Sequence, residues 1–208
     1  MKIAIDGPAG SGKGTLAKLL GSFYNFPILD SGKIFRKAGL ILSNGEVVIS
    51  DYSDLEDALR NIDEIKFDEE ILSSEKTAKI AAKYASNKLL RRYINTYIEN
   101  FAKNKSDIII DGRDIGTVIM PNADLKIFVT ANPESRAARR HHEAIRHGVN
   151  VSYEEILRDI ISRDLSDSQR EDSPLRPADD AHLLDTTEMG IEAAFEAARV
   201  LVDAALDH

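Results

Sequence analysis

The sequence predicts an α/β fold in which a parallel sheet is flanked by helices. Short apolar segments typical of strands, near residues 2–6, 27–29, 108–111, 125–130 and 182–185, alternate with longer segments of helical periodicity. This alternation indicates parallel strands covered by helices on both faces. A glycine-rich turn between the first strand and the first helix supports the same fold class.

Composition limits the size and the partners of the protein. Of the 208 residues, 43% are hydrophobic, which fits one domain with mobile insertions better than two independent domains. The 27 basic and 35 acidic residues give a formal charge of −8, so general attraction to nucleic acid or to an anionic membrane is not expected. We expect a monomer that binds anionic ligands through local basic clusters.

Cysteine is absent, which excludes disulfides, thiolate metal sites and cysteine nucleophiles. The first predicted strand begins directly after Met1, and no apolar segment approaches the roughly 18 residues of a membrane span. We therefore expect a soluble cytoplasmic protein.

The turn after the first strand has the composition of a phosphate-binding loop. Its residues are Gly7, Pro8, Ala9, Gly10, Ser11, Gly12, Lys13, Gly14 and Thr15. A strand, a glycine-rich turn and a helix N-terminus direct backbone N–H groups and the helix dipole at one point. Lys13 adds a charge that reaches the outer phosphates of a nucleotide. A turn without a ligand has no need of a lysine and a hydroxyl at this spacing.

The end of this loop departs from the general pattern. Gly14 stands where most such loops carry Ser or Thr, and the hydroxyl follows one residue later at Thr15. The ending Gly-Lys-Gly-Thr is similar to that of nucleoside monophosphate kinases, which implies a metal shell made largely of water and nucleotide oxygen. In the first helix, predicted over residues 12–23, four apolar residues are expected to form one buried stripe. They are Leu16, Leu19, Leu20 and Phe23.

Polar residues follow the second and third strands. Ser31 either caps a helix or binds an acceptor phosphate together with Arg36, and the spacing leaves both interpretations open. Asp111 ends the third strand beside the phosphate loop, which makes it a candidate water-mediated partner of Mg²⁺. Arg113 can bind a phosphate while Asp114 accepts a hydrogen bond from a ligand, although an Arg–Asp surface pair would look the same in sequence.

Arginines recur after the fourth strand. Arg136 and Arg140 lie at positions i and i+4 of a predicted helix, where two like charges repel unless an anion lies between them. A capping box at residues 152–155 predicts another helix through residue 165. Beyond it, Arg163, Asp167 and Arg170 are spaced to share one helical face, either as a ligand site or as a salt-bridged surface.

Two segments fit the core poorly. Residues 40–75 are polar and acidic, and residues 148–180 are rich in charge, Ser and Pro. They are either solvated loops or, in a phosphoryl-transfer enzyme, a substrate-binding insertion and a lid that excludes water. We favour the lid for the second segment. The last helix is predicted from about residue 190 to the C-terminus.

Taken in order along nearly the whole chain, these motifs resemble the bacterial cytidylate kinases. The segments that carry the resemblance are residues 5–15, residues 29–32 with Arg36, residues 111–117, residues 163–170 and residues 174–186. The resemblance implies a P-loop NTPase-type fold with a five-stranded parallel core, a nucleoside monophosphate-binding insertion and a lid. It also implies transfer of the γ-phosphoryl group of ATP to CMP or dCMP.

The resemblance divides one kinase domain, residues 1–208, into three regions. The core comprises residues 1–36, 104–133 and 181–208, the insertion spans about 37–103 and the lid about 134–180. Another small acceptor, UMP or a non-nucleotide alcohol, remains an alternative within the kinases. A nucleotide-binding switch protein is disfavoured because the segment at Asp111 lacks the Asp-x-x-Gly spacing of a switch loop. The arginine-rich lid also favours an enzyme.

Residue roles follow from the resemblance. It implies ATP binding by the loop from Gly7 to Thr15 together with Arg136 and Arg140, and Mg²⁺ binding by Thr15 and Asp111, mostly through water. Four residues are expected to be catalytic, namely Lys13, Asp111, Arg140 and Arg163. Residues expected to bind the acceptor nucleotide are Ser31, Arg36, Arg91, Arg113, Asp114, Arg163, Asp167 and Arg170. Arg92 is a one-residue alternative to Arg91 as the arginine that contacts the base.

Overall fold

The computed structural model of the protein describes residues 1–146 and 148–207. The chain forms two compact units. The first comprises Met1–Leu29 and Lys105–His208, and the second comprises Asp30–Asn104. No helix in the described part of the chain is both long enough and apolar enough to cross a membrane.

The first unit is built on the predicted parallel sheet. The strands within the described residues are β1 (Lys2–Asp6), β2 (Ile28–Asp30), β3 (Ile108–Gly112), β4 (Leu125–Thr130) and β5 (His182–Asp185). Their order across the five-stranded sheet is β2-β3-β1-β4-β5. Parallel pairing aligns Ile5 with Asp111 and with Ile127, so the strand ends meet at one carboxyl edge. The predicted fold class is confirmed.

Helices follow the strands and also fill the second unit. They are α1 (Lys13–Tyr24), α2 (Ser31–Asn44), α3 (Tyr52–Leu59), α4 (Glu69–Ser73), α5 (Glu75–Ala85), α6 (Lys88–Lys103), α7 (Pro133–Arg146), α8 (Tyr153–Ser168) and α9 (Ile191–Leu206). A short π-helical turn, Ile115–Ile119, follows β3. Helix α8 begins at the predicted capping box, in which the Ser152 and Glu155 side chains bond each other's backbone N–H groups.

The main core lies between β1, β3, β4 and the helices α1 and α9. Leu16 and Leu20 of α1 are buried in it as predicted. The prediction was wrong for Leu19 and Phe23, which are 37% and 59% exposed. The buried positions of α1 run 16, 17, 20 and 21, because the sheet packs against a face rotated from the one that the apolar pattern indicates. Phe23 instead packs edge-on against Phe195 of α9.

Helices α7 and α8 pack against each other through a small hydrophobic cluster of their own. Ala137, Ile156 and Ile160 are buried in it, with Val151 and Leu157 at its edge. This cluster is separate from the main core of the first unit. The two helices are therefore held together by contacts that do not depend on the sheet.

The second unit is entirely helical over its described elements. Leu42, Leu55, Leu59, Ile94 and Ile98 are fully buried. Residues 40–75 therefore contribute helices and core side chains and are more than solvated loops. Some of the polar residues that suggested a loop are helix caps. The Asp51 carboxylate, for example, caps the start of α3.

Candidate active site

The phosphate-binding loop joins β1 to α1 in a geometry that requires glycine. A Cβ at Gly7 would lie 2.0 Å from the carbonyl oxygen of Val129, so the loop approaches β4 more closely than any side chain allows. Gly12, at the N-terminus of α1, has a φ of +90°, which L-residues rarely adopt. The backbone thereby turns directly into the helix, whose first N–H groups and dipole favour an anion.

Lys13 and Asp111 border this loop. The Lys13 ammonium donates to the carbonyl of Pro8 at 3.2 Å, so the side chain folds back over the loop. Asp111, 5% exposed at the end of β3, has its Oδ2 3.7 Å from the position that a Cβ would take at Gly14. The absence of a side chain at position 14 therefore leaves the Asp111 carboxylate beside the first turn of α1. Thr15, in the same turn, is exposed.

Arg136 anchors the phosphate-binding loop through a hydrogen bond to its backbone. It is 3% exposed, and its guanidinium donates to the carbonyls of Ala131 (2.8 Å) and Ala9 (3.1 Å). The same group forms a two-pronged ion pair with Asp164 of α8, at 2.9 Å and 2.5 Å. The spacing of Arg136 and Arg140 predicted that an anion would offset the repulsion between them. Asp164 supplies such a negative charge to Arg136 from within the protein. Arg140 lies against the loop, with its Cδ 3.6 Å from where a Cβ of Gly10 would be.

A second attachment of the loop was missed at the sequence level. The Thr186 hydroxyl, directly after β5, lies 3.1 Å from the carbonyl oxygens of both Ser11 and Thr130. Arg139 donates to the Thr186 hydroxyl at 3.1 Å and also to its carbonyl. The available signal was positional, because Thr186 follows a strand at the same sheet edge as the loop and Arg139 lies one turn from Arg136.

Three arginines gather around Asp167. Arg113 donates to Asp167 Oδ2 at 2.9 Å, and Arg170 and Arg163 lie 3.4 Å and 4.0 Å from the carboxylate. The predicted proximity of Arg163, Asp167 and Arg170 is therefore present, and Arg113 joins them although its spacing in the sequence did not indicate this contact. One detail differs, because α8 ends at Ser168 and Arg170 reaches Asp167 from the turn beyond the helix.

The three guanidinium groups stabilise the ionised form of Asp167. Burial by itself would raise the pKa of Asp167, but the charges of Arg113, Arg170 and Arg163 hold that pKa below its usual range. One carboxylate then faces three guanidinium groups. The buried Nη2 of Arg170 makes no hydrogen bond within the described part of the chain. Such a cluster can bind a phosphate group.

Asp6 is a buried acid that sequence reasoning did not select. It ends β1, is 5% exposed, and accepts hydrogen bonds from the backbone N–H groups of Ile115 (2.9 Å) and Gly116 (2.7 Å). Burial raises the pKa of Asp6 to about 6, although these hydrogen bonds and the charge of Lys13 oppose the rise. The signal in the sequence was a carboxylate at the end of a buried strand, as at Asp111.

In the second unit, the structure contradicts the interpretation of Ser31 as the cap of helix α2. The Asp30 side chain caps the helix by accepting from the N–H of Lys33 at 3.0 Å, so Ser31 is the first helical residue and not the cap. Both residues are good cap formers, and the helix begins one residue earlier than the capping interpretation required. Ser31 is buried, and Arg36 lies half-buried farther along the helix.

Arg91 and Arg92 have different environments on α6. Arg91 is buried, donates to the Ala85 carbonyl at 2.9 Å, and places its guanidinium 5.4 Å from the centre of the Phe35 ring. Arg92 is exposed. Arg91 is therefore the arginine held in a defined orientation, by a hydrogen bond and by a cation–π contact.

Comparison with known proteins gives a match over nearly the full chain. The model of the family described as cytidylate kinase matches residues 3–203. The chain belongs to the cytidylate kinase family. A cytidylate kinase of Rhizobium meliloti (strain 1021) is 45% identical over 204 residues, covering 98% of this chain and 96% of the relative. A cytidylate kinase of Brucella ovis is also 45% identical, with 98% and 93% covered.

Solved structures show the same fold at lower similarity. TT1252 from Thermus thermophilus superposes with a TM-score of 0.53 at 22% identity, covering 99% of this chain and 97% of that one. Shikimate kinase from Bacteroides thetaiotaomicron has a TM-score of 0.50 at 14% identity, with 98% of both chains covered. These likenesses concern the fold of this cytidylate kinase family member.

Proposed function

We propose that the protein transfers the γ-phosphoryl group of ATP to CMP or dCMP, giving CDP or dCDP. The observation that carries this proposal is the cluster of Arg113, Arg163 and Arg170 around Asp167, in the same unit as the phosphate-binding loop. The loop supplies a site for the phosphates of a donor, and the cluster supplies charge for a second phosphate. Family membership supports ATP as the donor and a cytidine monophosphate as the acceptor.

On the donor side, the N–H groups of the loop and the dipole of α1 bind the ATP phosphates. Lys13 and Arg140, both at the loop, neutralise charge on the outer phosphates. Arg136 acts differently from the sequence-level expectation, because its donors are engaged by protein oxygens. Its role is to hold Ala9 and the rest of the loop in a binding conformation.

The residues near the loop fit a Mg²⁺ ion that keeps much of its water. The buried Asp111 carboxylate borders Gly14, Thr15 offers an exposed hydroxyl, and no cluster of three potential metal-binding side chains occurs among the described residues. Asp111 would then hold the ion mainly through water, as Mg²⁺ with its strongly bound hydration shell prefers. When bound, the ion neutralises charge on the transferring phosphoryl group.

On the acceptor side, no general base is needed. A phosphate monoester has a second pKa near 6, so its attacking oxygen is mostly ionised at neutral pH. Arg113, Arg163 and Arg170 stabilise the charge on the phosphates, and Asp114 accepts a hydrogen bond from the acceptor. In the second unit, Ser31, Arg36 and Arg91 keep the acceptor-binding roles that the family resemblance implies.

We further propose that residues of about 37–103 form the nucleoside monophosphate-binding insertion and residues of about 134–180 the lid. The separate hydrophobic cluster of α7 and α8 supports a lid that moves as one piece. A cleft of about 460 Å³ between Pro8 and the α8 residues Ile161 and Leu165 leaves room for such movement. We propose a soluble, cytoplasmic monomer.

A coupled assay of ADP formation tests the proposal. Purified protein is supplied with ATP, Mg²⁺ and, in separate reactions, CMP, dCMP, UMP or AMP, and we expect the highest kcat/KM with CMP or dCMP. Lys13→Met should abolish transfer, whereas Lys18→Met, on the exposed side of the same helix, should leave it unchanged. Absence of ADP formation above background with both cytidine nucleotides would refute the proposed function.

A further inference from the structure

Asp6 joins the end of β1 to the turn that follows β3. Its two carboxylate oxygens each accept one backbone hydrogen bond, Oδ1 from Ile115 at 2.9 Å and Oδ2 from Gly116 at 2.7 Å. These donors belong to residues 109 and 110 positions away in the chain. Both carboxylate oxygens of a buried acid are therefore committed to one short backbone segment.

That segment begins directly after Arg113 and Asp114. The first N–H groups of a helical turn need an acceptor, and the Asp114 side chain does not cap its own turn. Asp6 performs this function from the neighbouring strand. The bonds therefore fix the backbone at the point where the chain leaves Arg113 and Asp114.

The contact is also sterically tight. A Cβ added at Gly116 would lie 3.4 Å from Asp6 Oδ2 and 3.2 Å from Cδ of Lys126. The Lys126 ammonium is itself held by the Pro121 carbonyl at 2.6 Å and by Asp180 at 2.8 Å. The turn is thus confined between a carboxylate on one strand and an anchored lysine on another.

We propose that Asp6 is a positioning residue for the acceptor side of the reaction, acting by fixing the backbone that presents Arg113 and Asp114. The inference rests on the proposed function, because it assigns Arg113 and Asp114 to the acceptor. Asp6 itself does not need to touch either nucleotide. Catalysis by positioning is sensitive to small displacements, and a shift of about 1 Å costs on the order of 100-fold in rate.

A competing role for Asp6 is on the donor side. Burial raises the pKa of Asp6, and the charge of Lys13 opposes this rise. The alternative is therefore that Asp6 acts by stabilising the ammonium group of Lys13 in the phosphate-binding loop. The two roles predict changes in different kinetic constants. Loss of a positioning acid lowers kcat/KM for CMP, whereas loss of a Lys13 partner changes the KM for ATP.

The experiment compares Asp6→Asn with the wild type at saturating levels of each substrate in turn. Asparagine keeps the shape but offers an amide N–H₂ to one of the two backbone N–H groups, so one hydrogen bond is lost. We expect kcat/KM for CMP to fall roughly 10- to 100-fold while the KM for ATP stays within about 3-fold. Gly116→Ala, which displaces the same N–H without altering the charge of Asp6, should give the same split.

Val202→Ala is the matched control for general destabilisation, because Val202 is fully buried in α9 and remote in sequence from the turn. It should leave both kinetic constants unchanged. In a double-mutant cycle, Asp6→Asn should cost less than about 3-fold once Asp114 has been replaced by Asn. Additive effects of the two substitutions, or a rise in the KM for ATP that matches the loss with CMP, would overturn the inference.

Amide hydrogen exchange separates this inference from the proposed function. The N–H groups of Ile115 and Gly116 should exchange slowly in the wild type and at least 10-fold faster in Asp6→Asn. If the wild type phosphorylates no cytidine nucleotide but the exchange pattern holds, the proposed function fails while the anchoring of the turn stands. Unchanged exchange in Asp6→Asn refutes the anchoring itself.

Discussion

Replacing Arg136 tests whether this side chain holds the loop or contacts ATP. Arg136→Met removes the charge but keeps much of the apolar volume of the side chain. It leaves Asp164 without its two-pronged partner and leaves the carbonyls of Ala9 and Ala131 without their donor. The substitution should therefore destabilise the folded protein and loosen the loop.

The magnitude follows from the burial of the two partners. Breaking a buried ion pair by removing one member costs about 3–5 kcal/mol. Arg136 is 3% exposed, but Asp164 is 27% exposed and regains some hydration, so we expect the lower end, about 3 kcal/mol. With a urea m-value of about 2–3 kcal/mol/M, the midpoint should fall by roughly 1 to 1.5 M.

Urea denaturation, followed by circular dichroism, measures this shift. Arg136→Lys is the decisive comparison, because lysine keeps the charge but cannot form the forked contact. It should cost nearly as much as Arg136→Met. Arg199→Met is the matched control, since Arg199 also meets two carboxylates, Glu196 and Asp203, but is 33% exposed, and should cost less than about 1 kcal/mol.

A double-mutant cycle tests whether Arg136 and Asp164 stabilise the protein through each other. Combining Arg136→Met with Asp164→Leu should cost at least about 1.5 kcal/mol less than the sum of the single changes. Additivity within about 0.5 kcal/mol, or an Arg136→Lys variant as stable as the wild type, would refute the structural role and favour direct contact with ATP.

Three further predictions concern the same unit. Gly14→Ala should raise stability by roughly 0.4–1 kcal/mol in urea denaturation, because residue 14 is helical and its Cβ would meet only Asp111 Oδ2 at 3.7 Å; a loss of stability would contradict this. The raised pKa of Asp6 means that the folded state retains its proton longer than the unfolded state, so stability relative to Asp6→Asn should decline as pH rises from 3.8 to about 6, by about 3 kcal/mol. A flat difference across this range would show that Asp6 titrates normally. For Asp167 the sign is opposite, because its pKa is lowered: Asp167→Asn should cost stability at pH 7, and the difference should shrink as pH falls below 3.8. A difference that does not depend on pH would rule out the charge cluster as its source.

Local patterns predicted the strands well. The strand around residues 108–111 is a continuous apolar run, which is what a strand buried on both faces requires, and β3 is found at Ile108–Gly112. The capping box at Ser152 was also predicted, because its two hydrogen bonds involve residues only three positions apart. In both cases the determining interactions are local or depend on burial alone.

Side-chain partners were less predictable. Ser31 was considered as a helix cap, but the adjacent Asp30 suits a cap equally well and forms it in the structure. Leu19 and Phe23 fit an apolar stripe, but their exposure depends on how α1 is rotated against the sheet. Asp6 went unnoticed as a site residue because both of its hydrogen-bond donors lie more than 100 residues away.

The parallel α/β class, the phosphate-binding loop and the arginines available for phosphates follow from the sequence alone, because each depends on residue type and short spacing. Which charged side chains meet depends on tertiary packing. Arg136 had 35 acidic residues as possible partners, and folding selected Asp164, 28 positions away. Attraction between two charges strengthens where water is partly excluded, and the packing of α7 on α8 brings Arg136 and Asp164 together in such a place. The same packing engages the Arg136 guanidinium with Ala9, Ala131 and Asp164, which is the basis for proposing that this arginine holds the loop.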